Sequence, residues 1–298
     1  MTTATLPIYR SRPTRGRRTK EDIETIRRAL ERLLQRENPA TVRQVFYRLV
    51  SMGVIAKSEA EYKQTVCRLL GEMRLAGRIP FGWIADNTRW MRKPTTFSSL
   101  EQALRRTAEA YRRSVWDEMP VYVEIWLEKD ALAGVIYDVT REYDVPLMVT
   151  RGYPSLSYLS EAAAQLWRIG HEKRIHIYYF GDRDPSGVDI PRNVEARLRE
   201  FTRWDVPIAF DVVAVTEDQI DEFGLPTRPT KLSDTRSATF DGESVEVDAI
   251  PPADLRELVR ACIEQHIDQD QLAALEITEE SEREILRAFA DEYAGGAR

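Results

Sequence analysis

Two short acidic segments stand about fifty residues apart, each at the end of an apolar run and each opening a helical pattern. Residues 121–129 end on Glu128 and Lys129, and residues 175–187 carry Asp182 and Asp184 before Pro185-Ser186-Gly187. Carboxylates at points where strands end and helices begin converge along the C-terminal edge of a parallel sheet, where open α/β folds keep their sites. Hard oxygen donors gathered there suit Mg²⁺, and Mg²⁺ held by a few carboxylates suits phosphate chemistry. Glu128, Asp182 and Asp184 are therefore the candidate metal ligands. Glu124 lies mid-strand, where alternation would point it to solvent, and Lys129 is read as neutralising its acidic neighbours.

A second constellation lies upstream, in Thr41-Val-Arg43-Gln-Val-Phe-Tyr47-Arg48. Arg43 and Tyr47 are four apart and share a face if the segment is helical. A phenol with its ordinary pKa near ~10 needs a cation or base beside it before it can attack phosphorus. Arg43 could orient a phosphate or favour the phenolate. Taken without context, Tyr47 reads as an ordinary half-buried tyrosine rather than a nucleophile.

The elements that position these residues follow from periodicity. Helical patterns run from Thr19, with Ile23, Ile26, Leu30, Leu33 and Leu34 on one face, then from Thr41 to about Gly53, then from about Ser58 to Ala76. Residues 78–93 follow as short strand-like pieces with aromatic and basic residues interleaved. Three helices and such a segment suggest a winged helix (CAP-like), whose third helix enters the major groove. Lys63, Arg68, Arg74 and Arg78, with Arg89, Arg92 and Lys93 in the wing, are the expected DNA contacts. Residues 98–116 read as a linking helix. From Pro120 the rhythm changes. Strands are expected at 121–127, 146–150, 174–180 and 207–215, with helices at about 130–142, 155–170 and 186–203 between them. Such alternation predicts a parallel sheet covered by helices. Residues 225–247 read as irregular, and helices resume at about 252–267 and 278–294.

The fold class expected is thus α/β plus mainly α. It divides into a basic disordered arm at 1–19, a winged-helix domain at 20–118, a sheet domain at 119–247 and a helical extension at 248–298. The net charge of −6 hides an asymmetry. Residues 1–120 hold 24 basic and 13 acidic side chains, and the remainder holds 19 and 36. A basic front half is the footprint of phosphate binding. No apolar stretch reaches the ~20 residues of a membrane span, and Cys67 and Cys262 cannot form a disulfide framework. The expected setting is cytoplasmic and nucleoid-associated, with no membrane partner. No Walker A pattern, zinc spacing or Gly-x-Ser-x-Gly element is present.

The strand-Glu-Lys-helix segment joined to the later Asp182-x-Asp184-Pro-Ser-Gly187 resembles the Toprim fold, whose acidic residues hold Mg²⁺. The string from Thr41 to Tyr47 resembles the active-site segment of the topoisomerase VI A subunit and its meiotic double-strand-break relatives, and Gly152-Tyr-Pro-Ser155 is similar to a further family segment. The resemblance covers about residues 20–245. It implies that Tyr47 is a nucleophile giving a 5′-phosphotyrosyl link, that Arg43 is its phosphate-side partner, and that Glu128, Asp182 and Asp184 bind Mg²⁺. It also implies double-stranded DNA as substrate, a homodimer in which one protomer's tyrosine meets the other's metal, and a separate GHKL-type ATPase B subunit for strand passage. Two departures stand against the pattern: Arg48-Leu-Val-Ser-Met-Gly follows the tyrosine motif, and the chain is short for an A subunit. Two other readings stay open on the residues: a Toprim nuclease using water, with Tyr47 structural, and a non-catalytic winged-helix DNA-binding protein.

Overall fold

The computed structural model describes residues 18–85, 94–229, 240 and 242–296. The expected arm up to residue 17 lies outside them, as do Arg89, Arg92 and Lys93 of the expected wing.

Helix α1 (Lys20–Glu37) opens on a capping box in which Thr19 and Asp22 exchange hydrogen bonds. It buries Ile26, Leu30, Leu33 and Leu34. Helix α2 (Val42–Ser51) repeats the device with Thr41 and Gln44. The third helical segment is a π-helical run, Glu61–Cys67, continuing into α3 (Arg68–Leu75). Its wider turn is the kind of irregularity that accompanies functional sites. Beyond α3 the described residues contain no hairpin. Phe81–Trp83 form a 3₁₀ turn and Ile84 bridges Ala40 in parallel, so the strand-like reading holds for one residue.

The expected linking helix is shorter than its pattern. α4 (Leu100–Ala110) stops because residues 111–116 leave to dock elsewhere. Arg113 N–H donates to Glu279, and the buried Trp116 indole donates to the carbonyl of Tyr143.

Four parallel strands follow: β1 (Val121–Leu127), β2 (Leu147–Val149), β3 (Arg174–Phe180) and β4 (Ile208–Ala214), in the order β2-β1-β3-β4. Helices α5 (Asp130–Glu142), α6 (Leu156–Gly170) and α7 (Pro185–Phe201) connect them. One face of the sheet, with Val123, Ile125, Leu127, Tyr178 and Phe180, shares a single apolar core with α1–α3, α5 and α9 (Pro252–Glu264). The other face, with Trp126, Ile175, Ile177 and Tyr179, packs on α6 and α7. Both faces being covered, Glu124 is buried rather than solvent-facing. It accepts hydrogen bonds from Trp126 Nε1 (2.7 Å) and Tyr122 Oη (3.2 Å).

A short helix α8 (Glu217–Glu222), not expected from the sequence, follows β4. The final helix, α10 (Gln269–Gly296), starts nine residues before its expected position, because Asp268 caps it through the amides of Asp270 and Gln271. No helix among the described residues is long and apolar enough to cross a membrane.

Candidate active site

β1 and β3 are adjacent and in register from Val121↔Arg174 to Leu127↔Phe180, so the residues that follow them emerge side by side. Glu128 N–H donates to the carbonyl of Phe180, and the amide of Asp182 donates to Glu128 Oε2 at 3.0 Å. Two glycines permit this closeness. A Cβ on Gly181 would sit 2.7 Å from Glu128 Oε2, and one on Gly187 would overlap the carbonyl oxygen of Asp182. Burial, and then the neighbouring Asp182 charge, push the Glu128 carboxyl up to about 7. Asp182 is likewise raised by burial, against the opposing pull of Lys129.

Asp184 is placed differently. It is the N-cap of α7, where its Oδ1 accepts from the amides of Ser186 (3.0 Å) and Gly187 (2.7 Å). Its other oxygen lies 3.9 Å from Arg228. Glu128 and Asp182 thus converge, while half of Asp184 is committed to its helix. Among the described residues no three His, Cys, Asp or Glu side chains form a ready cluster for a metal ion. In kind the donors fit a hard divalent cation: two neighbouring, partly desolvated carboxylates with raised proton affinity are what a cation between them would relieve.

Lys129 is far more than a local counter-charge. Its Nζ reaches Asp248 Oδ2 (2.6 Å), Asp182 Oδ1 (2.9 Å) and Glu246 Oε2 (3.2 Å). Burial opposes its charge, but Asp248, Asp182 and Glu246 outweigh that cost and hold the ammonium well above its ordinary value. Glu246 lies in the segment read as irregular, and Asp248 is the first residue of the expected helical extension. Arg183 and Val245 exchange both backbone hydrogen bonds at 2.8 Å, Arg228 pairs with Ser244 in the same way, and Val247 N–H donates to Asp182 Oδ1. These bonds stitch residues 244–249 onto the end of β3. Asp248 is 1% exposed, and its Oδ1 is buried with no hydrogen-bond partner among the described residues.

Helix α2 meets this network through Arg43. The guanidinium donates to Glu246 through Nε (2.7 Å) and NH2 (3.1 Å), and Arg228 NH1 reaches the same carboxylate at 3.0 Å. Burial alone would raise Glu246, but Lys129, Arg43 and Arg228 bring it down to about 2. Tyr47, one turn along α2, is 4% exposed, with its ring 5.3 Å from that of Phe46 and Lys57 Nζ 5.5 Å above its centroid. It lines a cavity of about 160 Å³ together with Arg43, Lys57, Arg228 and Glu246. A neighbouring cleft of about 730 Å³ holds Glu128, Lys129, Asp182 and Asp248, and Arg43, Tyr62 and Glu246 line both. Burial, then Glu246, raise the Tyr47 phenol, while Arg43 pulls the other way, so at rest it keeps its proton.

The expected DNA contacts fare unevenly. Lys63 and Arg68 are exposed beside Glu59 (3.0 Å) and Glu72 (2.6 Å). Arg78 is pinned to Glu24 and Glu31 of α1. Arg74 lies over the Phe81 ring at 5.2 Å and lines the larger cleft. Sequence reasoning missed Glu246, Asp248, Arg228 and Lys57. The signal for the first two was present: Val245-Glu246-Val247-Asp248-Ala249 alternates with period two, which places both acids on one side. Comparison of the chain with models of known protein families finds no match, and comparison with curated proteins finds none either.

Proposed function

We propose that this chain is a Mg²⁺-dependent DNA transesterase on the plan of the topoisomerase VI A subunit, a winged helix joined to a Toprim domain, acting on duplex DNA as a homodimer with a separate ATPase partner, but with each phenol beside the strand-end acids of its own protomer rather than those of its partner. One observation carries the reading. Tyr47 and Arg43 on α2, and Glu128 and Asp182 at two strand ends, line adjoining cavities that share Arg43 and Glu246.

In this reading a scissile phosphodiester lies against Arg43, whose planar fork matches two phosphate oxygens. The phenolic oxygen of Tyr47 forms a new bond to phosphorus, and the bond from phosphorus to the 3′ oxygen breaks. The phenolic proton, passed through solvent, ends on that 3′ oxygen. The product is a 5′-phosphotyrosyl link and a free 3′-hydroxyl. Arg43, Lys57 and Arg228 offset the charge that develops on the phosphoryl oxygens, the main source of rate in such reactions. Glu128, Asp182 and the second oxygen of Asp184, the one that faces Arg228, would hold Mg²⁺, which would supply Lewis-acid stabilisation to the phosphoryl group.

Purified protein is incubated with supercoiled DNA and Mg²⁺, denatured, and assayed for DNA joined to protein. Adducts are expected with the wild type and none with Tyr47→Phe; no breaks in either sinks the reading. The burial of Tyr47 and its retained proton favour one rival, hydrolysis by water. Breaks that persist without adducts in Tyr47→Phe would establish that rival instead.

A further inference from the structure

Three cations converge on one carboxylate. Arg43, Arg228 and Lys129 all lie within 3.2 Å of Glu246, whose side chain is 6% exposed, whereas Arg43 and Arg228 remain 42% and 37% exposed. Lys57 completes the ring around the adjoining cavity of about 160 Å³. Its Nζ donates to the carbonyls of Pro226 and Thr227 at 2.9 Å each, which ties the loop bearing Arg228 to the helical region. The void has room for several waters at roughly 30 Å³ apiece. Arginine forks bind carboxylate and phosphate oxygens with the same geometry. A carboxylate gripped by two guanidiniums, at the mouth of a polar cavity, therefore occupies a donor set equally suited to phosphate.

We infer that Arg43, Lys57 and Arg228 form a binding site for a DNA phosphodiester, and that the Glu246 carboxylate fills part of it in the free protein as an internal stand-in. DNA entering the cavity takes over the donors of Arg43 and Arg228. Glu246 keeps Lys129 as its partner, so the exchange strands no buried charge. The inference rests on the phosphate-handling role given to this site above, and it adds a competitor that sets affinity.

The full chain and Glu246→Gln are compared in EDTA, first with a fluorescent duplex oligonucleotide at several salt concentrations, then with inorganic phosphate followed by the thermal midpoint. Removing the competing charge should tighten duplex binding on the order of tenfold and steepen its salt dependence. Phosphate should raise the midpoint of Glu246→Gln more than that of the wild type, and adding Arg228→Met should erase both gains. A folded Glu246→Gln that binds duplex no better than the wild type, and responds to phosphate no more strongly, overturns the inference. If neither protein binds duplex but phosphate still separates them, the DNA reading fails and the anion site stands. Should Glu246→Gln not fold, Arg228→Met alone decides, because an undiminished phosphate response in it overturns the site.

Discussion

The guanidinium of Arg43 and the carboxylate of Glu246 are 203 positions apart in sequence and joined by two hydrogen bonds, 2.7 and 3.1 Å long. In the free protein this pair ties α2 to the end of the sheet, and with it the phenol to the strand-end acids.

The pair has a pH signature. Glu246 falls from an ordinary value of 4.5 to about 2 in the folded chain. A lowered carboxyl contributes stability that is complete above its unfolded pKa and is lost as pH falls through its folded one. The stability gap between wild type and Glu246→Gln, from urea denaturation, should stay constant above about pH 5 and shrink as pH falls towards 2. A gap that does not change with pH would mean that the ion pairs contribute nothing at this site.

Two glycine substitutions should act in opposite directions. Gly187→Ala drives a methyl group into the carbonyl of Asp182, and overpacking against backbone costs on the order of 3 kcal/mol. Gly71 lies in α3, where an added Cβ meets nothing within 4 Å. There Ala should stabilise by about 0.5–1 kcal/mol. Chemical denaturation measures both, and equal effects at the two positions would refute the close approach at the turn.

Glu124→Ala removes the acceptor of the buried Trp126 indole and should cost about 1–3 kcal/mol. Glu124→Gln keeps an acceptor and should cost less, with a smaller change in near-ultraviolet circular dichroism. Equal losses would show that packing, not hydrogen bonding, holds Trp126.

Mg²⁺ should raise the thermal midpoint of the wild type by mass action on the folded state. The shift should shrink in Asp182→Asn and in Glu128→Gln, measured by differential scanning fluorimetry. Undiminished shifts in both variants would assign the ion to another place.

What the sequence revealed depended on local pattern. β1 and β3 were legible to the residue, because runs rich in β-branched and aromatic residues end abruptly at Glu128 and at Gly181-Asp182. Helices α1 and α2 announced themselves through their Thr caps. Glu124 was misplaced because alternation signals a solvent face only where one side of a sheet is bare, and helices cover both sides of this one. The alternation of residues 245–249 groups Glu246 with Asp248, but not with the site, because their position depends on pairing between Val245 and Arg183, 62 residues earlier in the chain. The start of α10 was missed because its first turn, Gln269-Asp270-Gln271, is wholly polar and its cap, Asp268, is set by hydrogen bonds rather than by an apolar period, although Leu272 and Leu275 reach back to the main core.

The stitching of residues 244–249 onto β3 has a consequence for synthesis. Arg43 and Lys129 leave the ribosome long before Glu246 and Asp248, so a nascent chain carries their positive charges without the matching acids. Strand, helix and glycine turn can all form first, yet the constellation closes only when the thread carrying Glu246 and Asp248 arrives. A prematurely terminated product lacking that thread would keep a phenol and two strand-end carboxylates, with only apolar packing and none of these ion pairs to set one against the other.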